Sequence, residues 1–467
     1  QFVKNCTKAV QKQPASSKQK PLPAARCCLH EMKFTLGTVT KCSGRLGALG
    51  GLDRLPALSL DTPAIIFHTK GGSIPHLSKE AMQHVATSDP TFLHLSISNT
   101  LHMHEAVKAS RITIAEFIAQ NNSVTMLFPR DPSESPIPGV PERESLPIYT
   151  RYGRRNITLT EYMEAVEAFR PDAYAPLYDG DTDGGSSKKR EQKSLDRTEK
   201  FVEQCLEWHR KSEALQACSL IGPVVGGYNE KLREKSVEFL HKAEASFAGY
   251  LIDGLHMNGA SVASLDGKAA VPIVASVCKQ LPEEKVRFCF GAYNPSLVLD
   301  LVAAGVDVFD TSFVYVKAAQ EHRALAFSFD VKAKPDDHTT ELDTTDAQLA
   351  EDFGPLVAGC ACYTCRKHSR AYVHHLHNTR EMLGPILIMI HNLHHYLEYF
   401  KAIRQHVADD TLPELREHLA SQKSLPPYVP KEDKIAVPAA VAQKDSTEAS
   451  EEKEQLPDDM QSKKQRA

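Results

Sequence analysis

Long hydrophobic runs are missing from this chain of 467 residues. The longest apolar stretches, such as Ile386-Leu387-Ile388-Met389-Ile390, fall far short of the ~20 residues that a bilayer-spanning helix needs, so no membrane span is expected. An excess of positive charge is missing too. A formal net charge of −4 excludes a general basic coat, so any nucleic-acid contact must come from local patches. No disulfide framework is evident either: the eleven cysteines are odd in number, and most sit singly among apolar residues, as in Val277-Cys278 and Phe288-Cys289-Phe290. That usage points to a reducing compartment with buried thiols. What remains, 42% hydrophobic and 24% charged residues, is ordinary globular composition and excludes wholesale disorder.

Acidic residues are also absent from the first thirty positions, which carry Lys4, Lys8, Lys12, Lys18, Lys20 and Arg26 before Glu31. A basic, acid-poor leader fits a targeting segment, although Pro14, Pro21 and Pro23 interrupt any amphipathic helix. Residues 1–31 therefore read as a disordered or targeting extension, with Met32 as a start.

From Met32 the pattern is strand-like, and eight short apolar runs follow: 64–67, 92–97, 124–128, 173–177, 220–225, 250–252, 286–290 and 306–309. Several are continuously apolar, as parallel strands covered on both faces are. Between them, Thr160–Phe169, Phe201–Leu215 and Glu230–Ala245 carry helical stripes, and Asn294 caps a helix opened by Pro295. Strand–helix alternation over roughly 280 residues predicts a (β/α)₈ barrel across 32–331, with an open doubly wound sheet as the alternative. The polar stretches Asp179–Lys193 and Lys332–Glu351 read as loops. Residues 332–412 then hold a loop, a metal-binding subdomain and closing helices, and 413–467 read as a mostly disordered charged tail.

Cys360-Ala-Cys362-Tyr-Thr-Cys365 places three thiols on one tight turn, which is dense for chance. Zinc takes four ligands at tetrahedral corners, so a fourth must come from elsewhere. His368 is too close to reach round without strain. The segment Thr379–Phe400 reads as a helix whose apolar stripe is flanked by His391 and His394, either of which a packed helix can deliver. Four protein ligands leave no open position, so the ion is expected to be structural.

The run 360–376, Glu-Met-Leu-Gly at 381–384 and His-Asn-Leu-His-His-Tyr at 391–396 together resemble the tRNA-guanine transglycosylase family. Similarity runs from about Met32 to about Leu412 and takes in Val224–Gly227, Gly249–Leu255 and Gly305–Asp310. The resemblance implies an irregular (β/α)₈ TIM barrel with a zinc subdomain near its C-terminal end. It selects His391 as the fourth ligand beside Cys360, Cys362 and Cys365, with one structural Zn²⁺ per subunit. The family exchanges guanine in a tRNA anticodon for a modified base: a carboxylate attacks the ribose carbon, guanine leaves, and the incoming base displaces the carboxylate.

Asp310 stands where the resemblance places that nucleophile, but its surroundings depart from active members. Where those carry Asp-Ser-Gly-Gly-Phe-Gln, this chain reads Thr69-Lys70-Gly71-Gly72-Ser73-Ile74; the base-reading Gln becomes Val225, Gly-Gly-Leu becomes Asp253-Gly254-Leu255, and a tRNA-contacting arginine is lost from 311–316. Thr69–Leu77 and Phe327-Ser328-Phe329-Asp330 resemble a non-catalytic paralogue of the family. That implies a subunit with no catalytic residue, Asp310 being a vestige, which pairs with a catalytic subunit to place queuine at the wobble position of tRNAs with GUN anticodons. A homodimer is the other arrangement a two-fold family interface allows. An active transglycosylase using Asp310 and a zinc-stabilised RNA-binding scaffold are the alternatives. Arg366, Lys367 and Arg370 beside the zinc turn are candidate tRNA contacts, and Arg151, Arg154 and Arg155 read as a hairpin around Gly153. The resemblance further implies a cytoplasmic protein with weak peripheral association at the mitochondrial outer membrane.

Overall fold

The eight apolar runs all become the core of parallel strands in the computed structural model, which describes residues 32–41, 44–85, 90–136, 144–243, 245–334, 338–426 and 428. The expected extension at 1–31 lies outside the described residues. Three antiparallel strands come first: β1 (Lys33–Val39), β2 (Arg45–Gly50) and β3 (Ser59–Thr62). The closed barrel is then built from β4 (Ala64–His68), β5 (Phe92–Ser96) and β6 (Val124–Phe128). After a hairpin of β7 (Ser145–Thr150) and β8 (Gly153–Thr158), it continues with β9 (Ala173–Tyr174), β10 (Ser219–Val224), β11 (Phe247–Ile252), β12 (Val286–Phe288) and β13 (Val308–Asp310). Strand β13 pairs with β4 and closes the ring.

Side chains alternate across the barrel wall, as the two-residue strand period requires. Ile66, Phe92, Val124, Met126, Ala173, Ile221, Val286, Phe288 and Val308 fill the interior. Ile65, Phe67, Leu93, Leu95, Leu127, Tyr174 and Leu220 face the surrounding helices. Leu49, Leu52 and Leu60 of the leading sheet join the interior cluster, so that sheet plugs one end. Two ion pairs fasten the plug: Arg45 to Asp307 (both 3.0 Å) and Arg54 to Asp172 (2.6 and 2.9 Å). Both aspartates immediately precede barrel strands, so the sealed end is the amino-terminal one and the opposite mouth is left for chemistry.

Helix boundaries differ from the sequence expectation where caps decide them. Ser187 accepts from the Arg190 N–H and starts the helix Lys188–Lys211 inside the stretch read as a loop. Asn294 caps Pro295–Ala303 as expected, accepting from the Leu297 N–H. Part of the second expected loop pairs as a short hairpin, β14 (Arg323–Leu325) with β15 (Glu341–Asp343). The segment Thr379–Phe400 opens with a turn that follows the helix Arg370–Asn378, where Arg380 has φ of +57°, and becomes helical only from Leu383, within Leu383–Ala408. The helix Leu412–Ala420 carries the fold past the tail boundary expected at 413. Leu412, Leu415 and Leu419 are buried, and Gln422 exchanges hydrogen bonds with the Ser328 backbone (2.8 and 2.6 Å). The charged segment beyond 428 lies outside the described residues. No helix among the described residues is long and apolar enough to cross a membrane.

Candidate metal centre and the barrel mouth

The three cysteines meet on a turn entered through Gly359, whose φ of +77° favours a residue without Cβ. Cys362 caps the short helix Tyr363–Lys367, its sulfur accepting from the Cys365 N–H at 3.2 Å. The fourth group arrives from the helix Leu383–Ala408, whose inner face docks on β14. Asn392 binds the backbone of Arg323 and Leu325, and the His391 Nε2–H donates to the Leu325 carbonyl at 2.8 Å. That bond fixes the tautomer and leaves Nδ1 with a lone pair aimed at the sulfurs. Nδ1 lies 3.7, 3.4 and 3.4 Å from the Cys360, Cys362 and Cys365 sulfurs. Four donor atoms converge here within 4.8 Å of one another. A tetrahedral ion bound at ~2.3 Å to sulfur and ~2.0–2.1 Å to nitrogen would set these atoms ~3.6 Å apart, so the donor set fits one. Burial opposes charge on His391, yet its hydrogen bonding to Cys360 and Cys365 raises its pKa, so the cluster favours positive charge at its centre, the place a metal ion bound to the Nδ1 lone pair would take.

The competing histidines point elsewhere. His394 Nδ1 faces the Val85 carbonyl (3.2 Å), His395 Nε2 the Phe327 carbonyl (3.0 Å), and His368 stacks on Tyr372. Arg366 and Lys367 are exposed on the helix beside the cluster. Arg370 is committed differently: it binds Asp352 (3.0 Å) and the Leu356 carbonyl (3.3 and 3.1 Å), stapling the loop before the cysteines. The structure thus separates it from the two exposed cations with which the sequence grouped it.

At the barrel mouth Asp310 is enclosed. It is 1% exposed, one carboxylate oxygen accepts from the Ser312 N–H (2.6 Å) and the other from the Gly291 N–H (2.7 Å). Burial pushes its pKa up to about 6 against these bonds. Thr69, standing where active relatives of the resembled family carry a second acid, donates its hydroxyl to the His94 carbonyl (2.8 Å). Val225 is buried and apolar. Asp253 takes Arg130 (2.7 Å), the Tyr178 hydroxyl (2.6 Å) and the Gly254 N–H (2.6 Å). Burial would raise its pKa, but Arg130, His256 and Tyr178 outweigh it and hold the carboxyl below its usual range.

The other carboxylates of the mouth are paired in the same way, while His68 Nδ1, His94 Nδ1 and Ser312 Oγ are buried without a partner among the described residues. Asp131 holds His68 (2.9 Å), Lys70 (3.2 Å), Asn99 and the Ser133 hydroxyl and N–H; Asp179 binds Arg190 and Arg197. His94, driven to a pKa of about 3 by burial, lies between the Phe128 and Phe290 rings, and His256, driven to about 4, contacts the Tyr293 hydroxyl. The cavity left among Arg130, Tyr178, Asp179 and β7 measures about 50 Å³. That is room for a few waters, whereas small-molecule pockets run to roughly 300 Å³ and more. Sequence reasoning missed Arg130, Asp131 and Asp179. The available signal was their place just after β6 and β9, at strand ends where a barrel gathers its polar groups.

The protein-family model described as Queuine tRNA-ribosyltransferase matches residues 41–424. A protein of Anopheles gambiae named queuine tRNA-ribosyltransferase accessory subunit 2 is 75% identical over 437 residues, covering 93% of this chain and all of the relative. Proteins of the same name from Culex quinquefasciatus and Drosophila virilis are 55% and 43% identical, covering 85% and 84% of this chain and 92% and 93% of theirs.

Proposed function

Because the chain belongs to the queuine tRNA-ribosyltransferase family, we propose that it is the non-catalytic subunit of a heterodimer that exchanges guanine for queuine at the tRNA wobble position. The observation that carries this reading is the enclosure of Asp310. A nucleophile must present a lone pair to the ribose carbon within a pocket that holds the base. Here the carboxylate is 1% exposed with both oxygens accepting backbone N–H groups, and the small cavity among Arg130, Tyr178 and Asp179 does not reach it. The Arg130–Asp253 pair supports it further, because the carboxylate facing the former base site already has its counter-charge.

Cys360, Cys362, Cys365 and His391 hold one zinc ion in this reading, chosen over other metals by three thiolates and one imidazole. Its contribution is to fix the turn before the helix Arg370–Asn378 against the helix Leu383–Ala408. Phe353 and Met382, at the two ends of Arg370–Asn378, are 81% and 82% exposed, and such apolar surface suits the catalytic subunit. The subunit acts in the cytoplasm, with peripheral attachment at the mitochondrial outer membrane.

Exchange of radiolabelled guanine into tRNA tests the reading. The isolated chain is expected to show none, the complex with the catalytic subunit full activity, and an Asp310→Ala complex nearly the same. Exchange by the isolated chain that disappears in Asp310→Ala would establish an active enzyme instead. Failure to associate with any transglycosylase while still binding RNA would favour a scaffold.

A further inference from the structure

The β7–β8 hairpin presents a group of side chains that neither the metal centre nor the closed mouth uses. Its two-residue tip, Arg151-Tyr152, is followed by Gly153 at φ +99°, and Thr150 locks the turn by donating to the Gly153 carbonyl and accepting from the Tyr152 N–H. Leu146, Ile148 and Ile157 root the hairpin in the core, so the tip is held rigidly. Beyond that root everything from Arg151 to Arg155 is exposed, and Tyr152 reaches 75% exposure. The Arg151 guanidinium lies 4.7 Å from the centre of the Tyr152 ring.

The groove between this tip and the turn Leu101–Met103 is lined by three arginines, one histidine and no carboxylate. Arg155 is partly neutralised by Glu161 (2.7 Å), and Arg151 and Arg154 place two further guanidinium groups at the tip. His102 adds none near neutral pH, since burial and the neighbouring Arg151 lower its pKa.

We propose that this hairpin tip is a contact for single-stranded RNA, with a base stacking on Tyr152 and phosphates meeting Arg151 and Arg154. The inference rests on the reading that the chain works on tRNA, and adds where the chain touches it. An exposed aromatic ring already paired with a guanidinium is a platform for any base, because every base offers a π-face. Rigid presentation keeps the ordering cost of such a contact small. In a chain of net charge −4, a carboxylate-free groove with three arginines is a local patch of the kind that phosphate binding requires. A peptide partner would have to be acidic to match the arginines, and the binding experiment separates that outcome.

Fluorescence anisotropy with full-length tRNA tests this on the full chain, alone and in the complex with the catalytic subunit. Tyr152→Ala is expected to weaken binding about 5- to 100-fold, and Tyr152→Phe to retain it. Arg151→Ala with Arg154→Ala should lower the slope of log affinity against log salt by about 1.4–1.8. All three sites are exposed, and circular dichroism of each variant checks that folding is intact. Unchanged affinity and slope in these variants overturn the proposal, as does failure of the wild-type complex to bind tRNA. Loss of capture of the catalytic subunit with unchanged tRNA binding overturns it as well, assigning the tip to a protein contact. Failure of the subunit reading is seen separately, as exchange that is independent of this chain while the hairpin still binds tRNA.

Discussion

The cysteine turn and the barrel mouth are both polar clusters in a buried setting, and they solve opposite problems. Around Cys360, Cys362, Cys365 and His391 the donors are aimed at one point and find only one another there. At the mouth Asp131, Asp179, Asp253 and Asp310 are each met by a cation, a hydroxyl or a backbone N–H. A cluster whose lone pairs converge needs an ion to be stable, because buried donors without partners are costly. One whose charges are mutually satisfied needs nothing and offers nothing to a substrate. In the proposed reading, the convergent cluster is the one that holds a ligand, and the mutually satisfied one belongs to a mouth without catalysis.

The largest effect should come from removing a metal ligand. Structural zinc contributes on the order of 10 kcal/mol to the folding of small metal domains, and Cys362 both ligates and caps the helix Tyr363–Lys367. Cys362→Ser is expected to purify without stoichiometric metal, to become protease-sensitive around residues 341–391, and to lose assembly with the catalytic subunit. A variant that keeps one zinc by elemental analysis and resists protease would show that the other three groups suffice.

Breaking the mouth should cost less, and through charge rather than coordination. The Arg130 and Asp253 side chains are 12% and 10% exposed, so Arg130→Ala leaves a nearly buried carboxylate without its partner. That is worth about 3–5 kcal/mol in urea unfolding, and the Arg130→Ala/Asp253→Ala double variant should lose less than the sum of the singles. Additive losses would mean that the two groups do not neutralise one another, and the comparison drawn above would fail.

Asp310 allows a test by pH. Its folded pKa, raised by burial to about 6, exceeds an unfolded value of ~3.9. Between these values the folded state binds the extra proton, so this group's contribution falls as pH rises from about 4 to about 6 and is flat above. The loss amounts to about 2–3 kcal/mol. Asp310→Asn cannot ionise, so its stability relative to wild type should improve by that amount across the same interval. The check is a pair of denaturation series at pH 4 and pH 7; a constant difference between the proteins would mean that Asp310 titrates normally.

The same contrast explains what could be read before the structure. The eight barrel strands were legible because each carries a short, mostly apolar run, several of them continuous, as parallel strands covered on both faces do. The metal cluster was legible because three of its ligands lie within six residues, although the choice of His391 over His394 depended on the family resemblance. The long-range partners were not legible: at the mouth Arg130 meets Asp253 across 123 positions, and at the plugged end Arg45 meets Asp307 across 262. Only the barrel's closure brings them together, and no local pattern encodes it. The start of Lys188–Lys211 was lost because its first turn is as polar as a loop, and its one local mark is the Ser187 cap.

The smallest expected effect separates two kinds of cation beside the cysteines. Arg370 gives its guanidinium to Asp352 and Leu356, a partly exposed staple, so Arg370→Ala should cost about 1 kcal/mol in stability with no change in the salt dependence of tRNA binding. Arg366 and Lys367 stand exposed on the adjoining helix, and replacing them should leave stability within about 0.5 kcal/mol. If they meet phosphates, each substitution lowers the salt slope by about 0.7–0.9. Thermal denaturation and salt-dependent binding on the same three variants decide the matter. A slope change for Arg370→Ala equal to that for Lys367→Ala would return all three residues to one RNA-binding group. Unequal responses in the expected direction would show that, even next to the metal, a cation whose donors are already committed contributes to the fold and not to the ligand.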